Sequence, residues 1–275
     1  MIFTRKQILE RLGKVIAEER PIIGVGASAG LSAKFEEAGG ADLIIIYNSG
    51  RFRMAGRSSM AGFLPYGDAN TIVMEMAQEI LPVVKNTPVL AGVCGTDPFR
   101  IMDAFLKQIK EAGFSGVQNF PTVGLCDGLF RQNLEETEMG YGLEVDMIRK
   151  AHEMDLFTAP YVFNAEEAMA MAEAGADIIV IHLGLTTKES AGAWNTNSLN
   201  EALQKGREIC DAAQNANPDI ILLCHGGPIS LAANVEYILK NTPGVHGYHG
   251  GLDIESHPTE IAIKEQVKKF KAIRF

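Results

Sequence analysis

Short apolar runs recur along this chain, and most of them end in a cluster of small or polar residues. The run at 22–26 is followed by Ala-Ser-Ala-Gly, and the run at 43–47 by Asn-Ser-Gly. The runs at 178–181 and 220–224 are followed by His-Leu-Gly and His-Gly-Gly. Continuous Val/Ile/Leu runs are typical of parallel strands buried on both faces. Because ligands bind beyond the carboxyl ends of such strands, the pattern predicts a site at one rim of a parallel sheet.

Eight strands, each followed by a helix, are predicted from this pattern. The strands lie at 22–26, 42–47, 88–93, 115–119, 156–161, 177–182, 219–224 and 244–248. A helix at 5–19 precedes them, and the others lie at 32–38, 70–81, 99–112, 142–152, 165–174, 198–213, 229–239 and 260–271. This alternation predicts an α/β fold, a single (β/α)8 TIM barrel. An open doubly wound sheet is the alternative, but eight evenly spaced strand–helix units with no linker between them favour a closed barrel.

The barrel is expected to form one domain over residues 1–275, with residues 1–20 as an extra N-terminal helix. Two connections, after the second and fourth strands, exceed the usual loop length: 48–70 and 121–142. Long ordered loops at the active rim commonly act as lids or substrate walls, so both are expected to border the site.

Composition narrows the range of partners. The net charge of −9 argues against general nucleic-acid binding, which is driven by neutralisation of phosphates. No run of about 18 apolar residues occurs, so no membrane span is predicted, and the first 20 residues lack the apolar stretch of a secretory signal. The four cysteines, at 94, 126, 210 and 224, show no CxxC pairing. A cytoplasmic location is therefore expected.

His182 and the Ser49-Gly50 pair stand where predicted strands end. His182 ends the sixth strand, where a barrel delivers it to the cavity mouth as a ligand-facing group. The alternative is a core histidine bonded to backbone. Ser49 and Gly50 follow the second strand and are candidates to present N–H groups to an oxyanion, although a plain turn explains them as well.

The loop after the second strand also carries charged candidates. Arg51, Arg53 and Arg57 are suited to bidentate binding of a carboxylate or phosphate, and a solvated basic loop is the alternative. Asp68 is a catalytic candidate in the same loop. Because it precedes Asn70 at a predicted helix start, a helix N-cap is a serious rival.

Two matched histidine–glycine segments follow the last two strands. They are His225, Gly226, Gly227 and Pro228 after the seventh strand, and His249, Gly250 and Gly251 after the eighth. Many barrels bind phosphate with these two loops through backbone N–H groups and a helix N-terminus, and Pro228 fits a first helical turn. We therefore expect neighbouring turns that form an anion pocket. Two tight turns are the alternative, but they leave both histidines unexplained.

The sequence leaves the metal and the cofactor open. His182, His225 and His249 are suited to zinc if they converge, but three histidines also simply line a polar mouth. Magnesium is a second candidate, and no tight carboxylate pair at a strand end supports it. Cys94 and Cys224 end strands without any cue for activation, so buried packing cysteines are expected.

Three stretches, at 116–124, 130–144 and 224–228, resemble the phosphoenolpyruvate-hydrolase-like TIM-barrel family, also called the TIM-barrel signal-transduction family. This is the barrel of the plant tobamovirus-resistance proteins, and it also occurs beside sigma-54-type activators in bacteria. The resemblance covers essentially the whole chain and implies a TIM barrel.

The chain is more distantly similar to the phosphoenolpyruvate mutase and isocitrate lyase superfamily. The resemblance implies that Ser49 and Gly50 bind pyruvyl or enolate oxygens, that Asp68 is functional, and that His182 ends the sixth strand. The superfamily's Asp-x-Asp at the third strand is missing, and its acidic residue at the fourth strand is replaced by Gln118 and Asn119. Asn119 is counted with the substrate-binding candidates, and a magnesium ion is not supported by this pattern.

We expect an enzyme, a hydrolase or lyase, that acts on a small phosphorylated or α-keto carboxylic acid at the rim. Ser49 and Gly50 would hold the carboxylate or enolate, His182 would protonate it, and an arginine would neutralise its charge. A sensor that binds the same ligand without turnover is the alternative, and a phosphate-binding barrel similar to indole-glycerol-phosphate synthase is a third. A homo-oligomer is expected, with a small anionic ligand and no nucleic-acid or membrane partner.

Overall fold

All strands of the barrel are parallel. The computed structural model describes residues 2–184 and 196–275. The strands are β1 Ile22–Ala27, β2 Leu43–Ile46, β3 Val89–Val93, β4 Gly116–Asn119, β5 Phe157–Thr158, β6 Tyr161–Val162, β7 Ile178–His182, β8 Ile221–His225 and β9 Val245–Gly250. Their order in the sheet is β5-β4-β3-β2-β1-β9-β8-β7-β6.

The two ends of this order are halves of one extended segment, which closes the barrel. β5 pairs with β4, and β6 pairs with β7. Between them the Ala159 N–H donates to the Val117 carbonyl at 3.1 Å, and the Val180 N–H donates to the Pro160 carbonyl at 2.8 Å. The strand is interrupted because proline has no N–H to donate. The predicted strand at 156–161 is therefore β5 plus β6, and the predicted (β/α)8 barrel is confirmed.

The helices follow the predicted alternation. They are α1 Arg5–Ala17, α2 Gly30–Ala38, α3 Asn48–Met54, α4 Ala69–Ile80, α5 Met102–Ala112, α6 Gly128–Glu136, α7 Gly142–Glu153, α8 Ala165–Glu173, α9 Thr196–Ala216, α10 Ala232–Asn241 and α11 Ser256–Lys271. The two long loops contain α3 and α6, which were not predicted. The helix predicted at 229–239 begins at Ala232, so the placement of Pro228 in a first helical turn was wrong.

Apolar side chains fill the barrel up to a polar upper layer. The inward-facing apolar residues form one buried cluster: Ile22, Leu43, Ile45, Leu90, Phe157, Ile178, Val180, Ile221 and Leu223. Helix α1 adds Ile8, Leu12 and Val15 to this cluster and so closes the amino-terminal end of the barrel. A second cluster packs the outer helices on the wall. The inward positions nearest the carboxyl ends are polar, and this places the site there.

Within the described ranges, no helix combines the length and the apolar character needed to cross a membrane.

Candidate functional site

A cavity of about 430 Å³ opens at the carboxyl ends of the strands. Its walls come from strand ends, from α3 and the segment after it, and from the first turn of α11. The polar lining residues are Tyr47, Ser49, Arg53, Arg57, Ser58, Ser59, Tyr161, His182, His225, Ser256 and Glu260, and the apolar ones include Met60, Phe63, Phe120, Leu125 and Leu252. The predicted location of the site at this rim agrees with the cavity.

Two tyrosines, Tyr47 and Tyr161, form the floor of the cavity, and Tyr47 is bonded to the buried His249. The Tyr47 hydroxyl lies 2.7 Å from His249 Nε2 and 3.1 Å from the Tyr161 hydroxyl. It also contacts the Gln118 Oε1 atom, while the Gln118 amide nitrogen donates to the Ala159 carbonyl at 2.6 Å. Burial raises the pKa of both phenols, so each keeps its proton. The floor is therefore a neutral hydrogen-bonded network.

Glycines in the neighbouring strands make room for the Tyr47 ring. A Cβ on Gly26 would lie 2.9 Å from the ring, and one on Gly92 would lie 2.8 Å from it. Both distances are shorter than real contacts of a Cβ atom. The ring enters the barrel because β1 and β3 carry no side chain at these two positions.

The rings of His182 and His225 lie beside each other, with centroids 4.8 Å apart. The Gly184 N–H donates to His182 Nδ1 at 3.2 Å, so this nitrogen bears the lone pair. His225 Nδ1 lies 2.6 Å from the His249 carbonyl oxygen, which only accepts, so this nitrogen bears the hydrogen. In the neutral rings, Nε2 of His182 is then a donor and Nε2 of His225 is an acceptor.

Burial keeps the imidazoles of this layer neutral. It lowers the pKa of His182 and His249 well below the ordinary value of 6.5, and it lowers the pKa of His225 as well. The neighbouring histidines add to the effect at His182, since two positive rings this close repel each other. The cavity thus presents one imidazole donor and one imidazole acceptor at neutral pH.

Arg53 supplies the buried positive charge of the cavity. Its guanidinium contacts the Ser49 hydroxyl at 3.2 Å, the Ser28 hydroxyl at 2.9 Å and the Glu255 carboxylate at 3.2 Å. Glu255 also accepts from the Ser28 N–H at 2.6 Å. Among the described residues, Arg53 Nε and the Ser256 hydroxyl are buried without a hydrogen-bond partner. Two side chains of the cavity wall therefore have unused hydrogen-bonding capacity.

Several predicted site residues lie elsewhere. Asp68 is the N-cap of α4: its half-exposed carboxylate accepts from the Thr71 N–H at 2.9 Å and pairs with Arg100 at 2.8 Å. The N-cap alternative therefore explains the position of Asp68, and its catalytic role stays an untested prediction. Arg51 forms an exposed ion pair with Glu75. Neither residue lines the cavity, because the helices turn both side chains outward.

Asn119 has a structural role at the barrel closure. Its amide donates to the Glu144 carboxylate at 2.6 Å and to the Tyr161 carbonyl at 3.2 Å, and it accepts from the Tyr161 N–H at 2.7 Å. The side chain is fully buried and joins β4 to the interrupted strand. These bonds account for Asn119 without a ligand, and its role in substrate binding stays an untested prediction.

The histidine–glycine segments reach the rim, but the N–H groups of Gly227 and Gly251 are bonded within the chain and are not available for the expected anion pocket. The Gly227 N–H donates to the Gly184 carbonyl at 2.7 Å, and the Gly251 N–H donates to the Asp253 carboxylate at 3.0 Å. Gly226 and Gly227 have φ of 72° and 59°, which glycine adopts without strain. The turns themselves therefore account for these glycines. Gly250 and Gly251 line the cavity, as do His182 and His225.

The residues present do not fit a metal ion. Across residues 2–184 and 196–275, no three His, Cys, Asp or Glu side chains are arranged to hold one. The histidines of the upper layer use a ring nitrogen each on protein partners, and the Glu255 carboxylate is bonded to Arg53 and Ser28. A magnesium site would need several oxygen ligands, which this lining does not assemble.

Tyr47, Tyr161, Gln118 and Glu255 were missed from the sequence. Tyr47 and Tyr161 were hidden inside apolar runs, where they look like core residues. A signal was available for Tyr47, because alternation along β2 puts it on the same inward face as Leu43 and Ile45. Glu255 carried no comparable signal, since its contact with Arg53 spans 202 positions.

The fold and the site define the class of protein, a closed (β/α)8 barrel with a polar cavity at the carboxyl ends of its strands. Residues 7–273 match the family described as phosphoenolpyruvate hydrolase-like, and the chain belongs to that family. The resemblance inferred from the three sequence stretches is confirmed.

Two curated relatives match this chain over part of a longer sequence. The ToMV susceptible protein tm-1(GCR26) of Solanum lycopersicum is 62% identical over 266 residues, which cover 97% of this chain and 35% of the tomato protein. The putative transcriptional regulatory protein y4pA of Sinorhizobium fredii is 31% identical over 274 residues, which cover 99% of this chain and 45% of that protein. The chain thus spans less than half the length of either relative.

Solved structures share the fold at low sequence identity. Phosphoenolpyruvate phosphomutase from Streptomyces platensis subsp. rosaceus matches with a TM-score of 0.61 and 16% identity, covering 96% of this chain and 86% of that one. Phosphonopyruvate hydrolase, solved in complex with oxalate and Mg²⁺, matches with a TM-score of 0.58 and 16% identity, covering 99% of this chain and 89% of that one. The predicted distant similarity is confirmed for the fold.

Proposed function

We propose that this chain binds a small carboxylic acid, of the α-keto or phosphorylated type, in the cavity at the carboxyl ends of the strands, and acts on it as a hydrolase or lyase. The observation that carries the proposal is the pair of neutral histidines with opposite tautomers. His182 offers a donor and His225 an acceptor in one polar cavity. Arg53 adds a positive charge to the same wall.

The roles follow from the protons that each group holds. The ligand carboxylate lies toward Arg53 and Ser49, because a guanidinium and a hydroxyl both donate to carboxylate oxygens. The keto oxygen faces His182 Nε2, whose N–H stabilises the negative charge that develops there. His225 Nε2 is the acceptor that takes a proton in the reaction.

For a hydrolytic step, His225 takes a proton from water while the water oxygen bonds to the keto carbon of the acid. The oxyanion so formed accepts a hydrogen bond from His182. When the carbonyl re-forms, the bond between the former keto carbon and the carbon next to it on the side away from the carboxylate breaks. That second carbon leaves with the electron pair and receives the proton from His225. His225 is neutral at the start and so has a lone pair to accept this proton, and the pKa lowered by burial makes the protonated ring a ready donor in the return transfer.

The first experiment measures binding of small acids. We would test oxalate, pyruvate, oxaloacetate, phosphoenolpyruvate and phosphonopyruvate by thermal shift and calorimetry, with either EDTA or MgCl2 present. A ligand at about 100 times its dissociation constant stabilises the fold by about 2.7 kcal/mol, which a melting curve detects readily. Failure of every acid to bind, with the protein folded, would contradict the proposal.

The second experiment replaces His182. His182→Gln retains a side chain of similar reach but loses the rigid ring that aims an N–H at the keto oxygen, so we expect turnover or affinity to fall by roughly 100-fold. His152→Gln on the outer helix α7 is the matched control and should change neither. If His182→Gln lowers the melting temperature and leaves binding unchanged, the ring has only a packing role.

A ligand sensor is the second candidate, and the names of the relatives favour it. One relative is named as a ToMV susceptible protein and another as a putative transcriptional regulatory protein. In a sensor the same cavity holds the acid without converting it. Product analysis by NMR after incubation with each bound acid separates the candidates, because a sensor returns the acid unchanged.

A further inference from the structure

Apolar side chains gather in the cavity near the end of β4. Phe120 follows β4 directly, and its ring packs edge to face against the ring of Phe63, with centroids 5.0 Å apart. Met60 precedes Phe63 in the short 3-10 helix Ser59–Phe63, and Leu125 lies in the segment after β4. All four line the cavity and form its apolar wall.

The groups proposed to hold the acid lie on other sides of the cavity. Arg53 is bonded at 2.9 Å to Ser28, just beyond the end of β1, whereas His182 and His225 end β7 and β8. Around the barrel, β2 and β3 separate β4 from β1, and the interrupted strand of β5 and β6 separates β4 from β7. Among the described residues, the side left for the rest of the acid is therefore the apolar wall.

The cavity is larger than a two- to four-carbon acid needs. Its volume of about 430 Å³ lies in the range, roughly 300–1,000 Å³, of pockets that enclose drug-sized ligands. A very small acid leaves the apolar wall facing water. An acid with an apolar substituent covers that wall and gains from the removal of apolar surface from water. The volume and the lining together favour a substituted acid.

The polar lining favours an acid with a single negative charge. Arg53 is a buried cation, and the Glu255 carboxylate already lies 3.2 Å from its guanidinium. The histidines of the lining are neutral. Arg57 also lines the cavity, but it is exposed, and exposed ion pairs contribute little. A second carboxylate or a phosphate thus finds no buried cation of its own in the described part of the lining.

The proposed hydrolytic step adds a chemical requirement. The departing carbon leaves with an electron pair, and it departs readily only when a neighbouring carbonyl takes up that pair as an enolate. In oxaloacetate this neighbour is a second carboxylate. A ketone takes up the pair better and carries no charge, so it also fits a lining with one buried cation.

We propose that the cavity takes an acylpyruvate, a 2,4-diketo acid with one carboxylate and an apolar group on its second ketone. The assignment rests on the proposed function and narrows its substrate class. The carboxylate lies at Arg53, the first ketone at His182, and the apolar group against the apolar wall.

The reaction follows the hydrolytic step described above. Water adds to the carbon of the first ketone while His225 takes a proton from it. The bond from this carbon to the methylene group between the ketones then breaks. The methylene carbon leaves with the electron pair as an enolate and receives the proton from His225. The products are oxalate and a methyl ketone.

Three acids that differ at one end test the assignment by calorimetry. Acetylpyruvate has a methyl group where oxaloacetate has a carboxylate oxygen, so this pair differs in charge and little in shape. Benzoylpyruvate carries a phenyl ring in place of that methyl group. Acetylpyruvate should bind at least about tenfold more tightly than oxaloacetate. Benzoylpyruvate should bind at least about tenfold more tightly again, and each step corresponds to about 1.4 kcal/mol.

A charge placed on the apolar wall should shift this preference. Leu125→Lys supplies an ammonium group for a second carboxylate, so the ratio of the affinities for benzoylpyruvate and oxaloacetate should fall at least about tenfold. Leu129→Lys is the matched control. Leu129 is 71% exposed on α6 and does not line the cavity, so the ratio should not change. Circular dichroism verifies that both variants are folded.

Oxaloacetate that binds as tightly as acetylpyruvate overturns the assignment and leaves the proposed function standing. A phenyl ring that adds no affinity, or an unchanged ratio in Leu125→Lys, has the same consequence. Failure of every acid to bind contradicts the proposed function, and the assignment falls with it. NMR should detect oxalate and acetophenone released from benzoylpyruvate. Binding in the expected order without this release supports the ligand class and favours the sensor over the hydrolase.

Discussion

Replacing Glu36 by glutamine should remove a pH-dependent weakness of the fold. Glu36 lies on α2, and both of its carboxyl oxygens are buried with no hydrogen-bond partner in the described part of the chain. Burial, assisted by the negative charge of Glu255 and opposed by Arg53, raises the pKa of Glu36 from 4.5 to about 8. Glutamine has nearly the shape of the protonated acid and carries no charge, so it changes the titration and little else.

The sign follows from proton counting. Between its unfolded pKa of 4.5 and its native pKa of about 8, Glu36 holds a proton in the native state and loses it in the unfolded chain. The free energy of unfolding therefore falls as the pH rises through this window. At about 1.4 kcal/mol per pKa unit, the full loss is at most about 5 kcal/mol. Glu36→Gln should match the wild type near pH 5 and exceed it by roughly 3 kcal/mol at about pH 8.5.

Urea unfolding followed by circular dichroism at several pH values between about 5 and 8.5 measures this difference. Glu37→Gln is the matched control on the same helix. Partial burial alone would raise the pKa of Glu37, but hydrogen bonds from the backbone N–H groups of Asn86 and Lys85 lower this pKa below its ordinary value. Its replacement should lower stability by the same amount at every pH above about 6. Parallel pH profiles for the wild type and Glu36→Gln would refute the assignment of Glu36 as a buried, protonated acid.

Three further outcomes are expected. In the Glu36→Gln variant, the melting temperature should fall as the pH is lowered from about 7 to about 5. Burial lowers the pKa of His182, His225 and His249, so in this range the unfolded chain binds protons that the native state does not. A melting temperature that does not change with pH contradicts this. Gly92→Ala should lower the free energy of unfolding by about 1–3 kcal/mol, since its Cβ would meet the Tyr47 ring. Gly13→Ala in α1, with nothing within 4 Å, should instead raise it by about 0.5–1 kcal/mol in the same urea assay.

The fold was predictable because local patterns determine it. Continuous apolar runs mark strands buried on both faces. Three segments that read Glu-Ala-Gly, at 37–40, 111–113 and 173–175, mark helix ends, because a glycine follows the last helical residues. Gly40, Gly113 and Gly175 in those segments have φ of 92°, 109° and 90°, the left-handed conformation expected beyond a helix C-terminus. Neither signal needs a distant residue. The alternation of strands and helices then leaves few topologies besides a closed barrel.

The site was predictable in position but not in detail. A strand end points to the rim, so His182, His225 and the loop with Arg53 were all placed correctly near it. Which loop side chain turns inward depends on α3, a short helix that the pattern did not predict. On that helix Arg53 faces the cavity, while Arg51, half a turn away, pairs with Glu75 at the surface.

Burial raises the pKa of the acids of this chain and lowers the pKa of its histidines. These shifts link the chemistry of the site to the stability of the fold. It keeps His182 and His225 neutral, which the proposed proton transfer requires, and it keeps Glu36 protonated. It also raises the pKa of Glu144 to about 7. Acidification destabilises the neutral histidines, whereas alkalinisation destabilises the protonated acids. The two effects oppose each other between about pH 4.5 and 6.5, where a fall in pH favours the buried acids and disfavours the buried histidines.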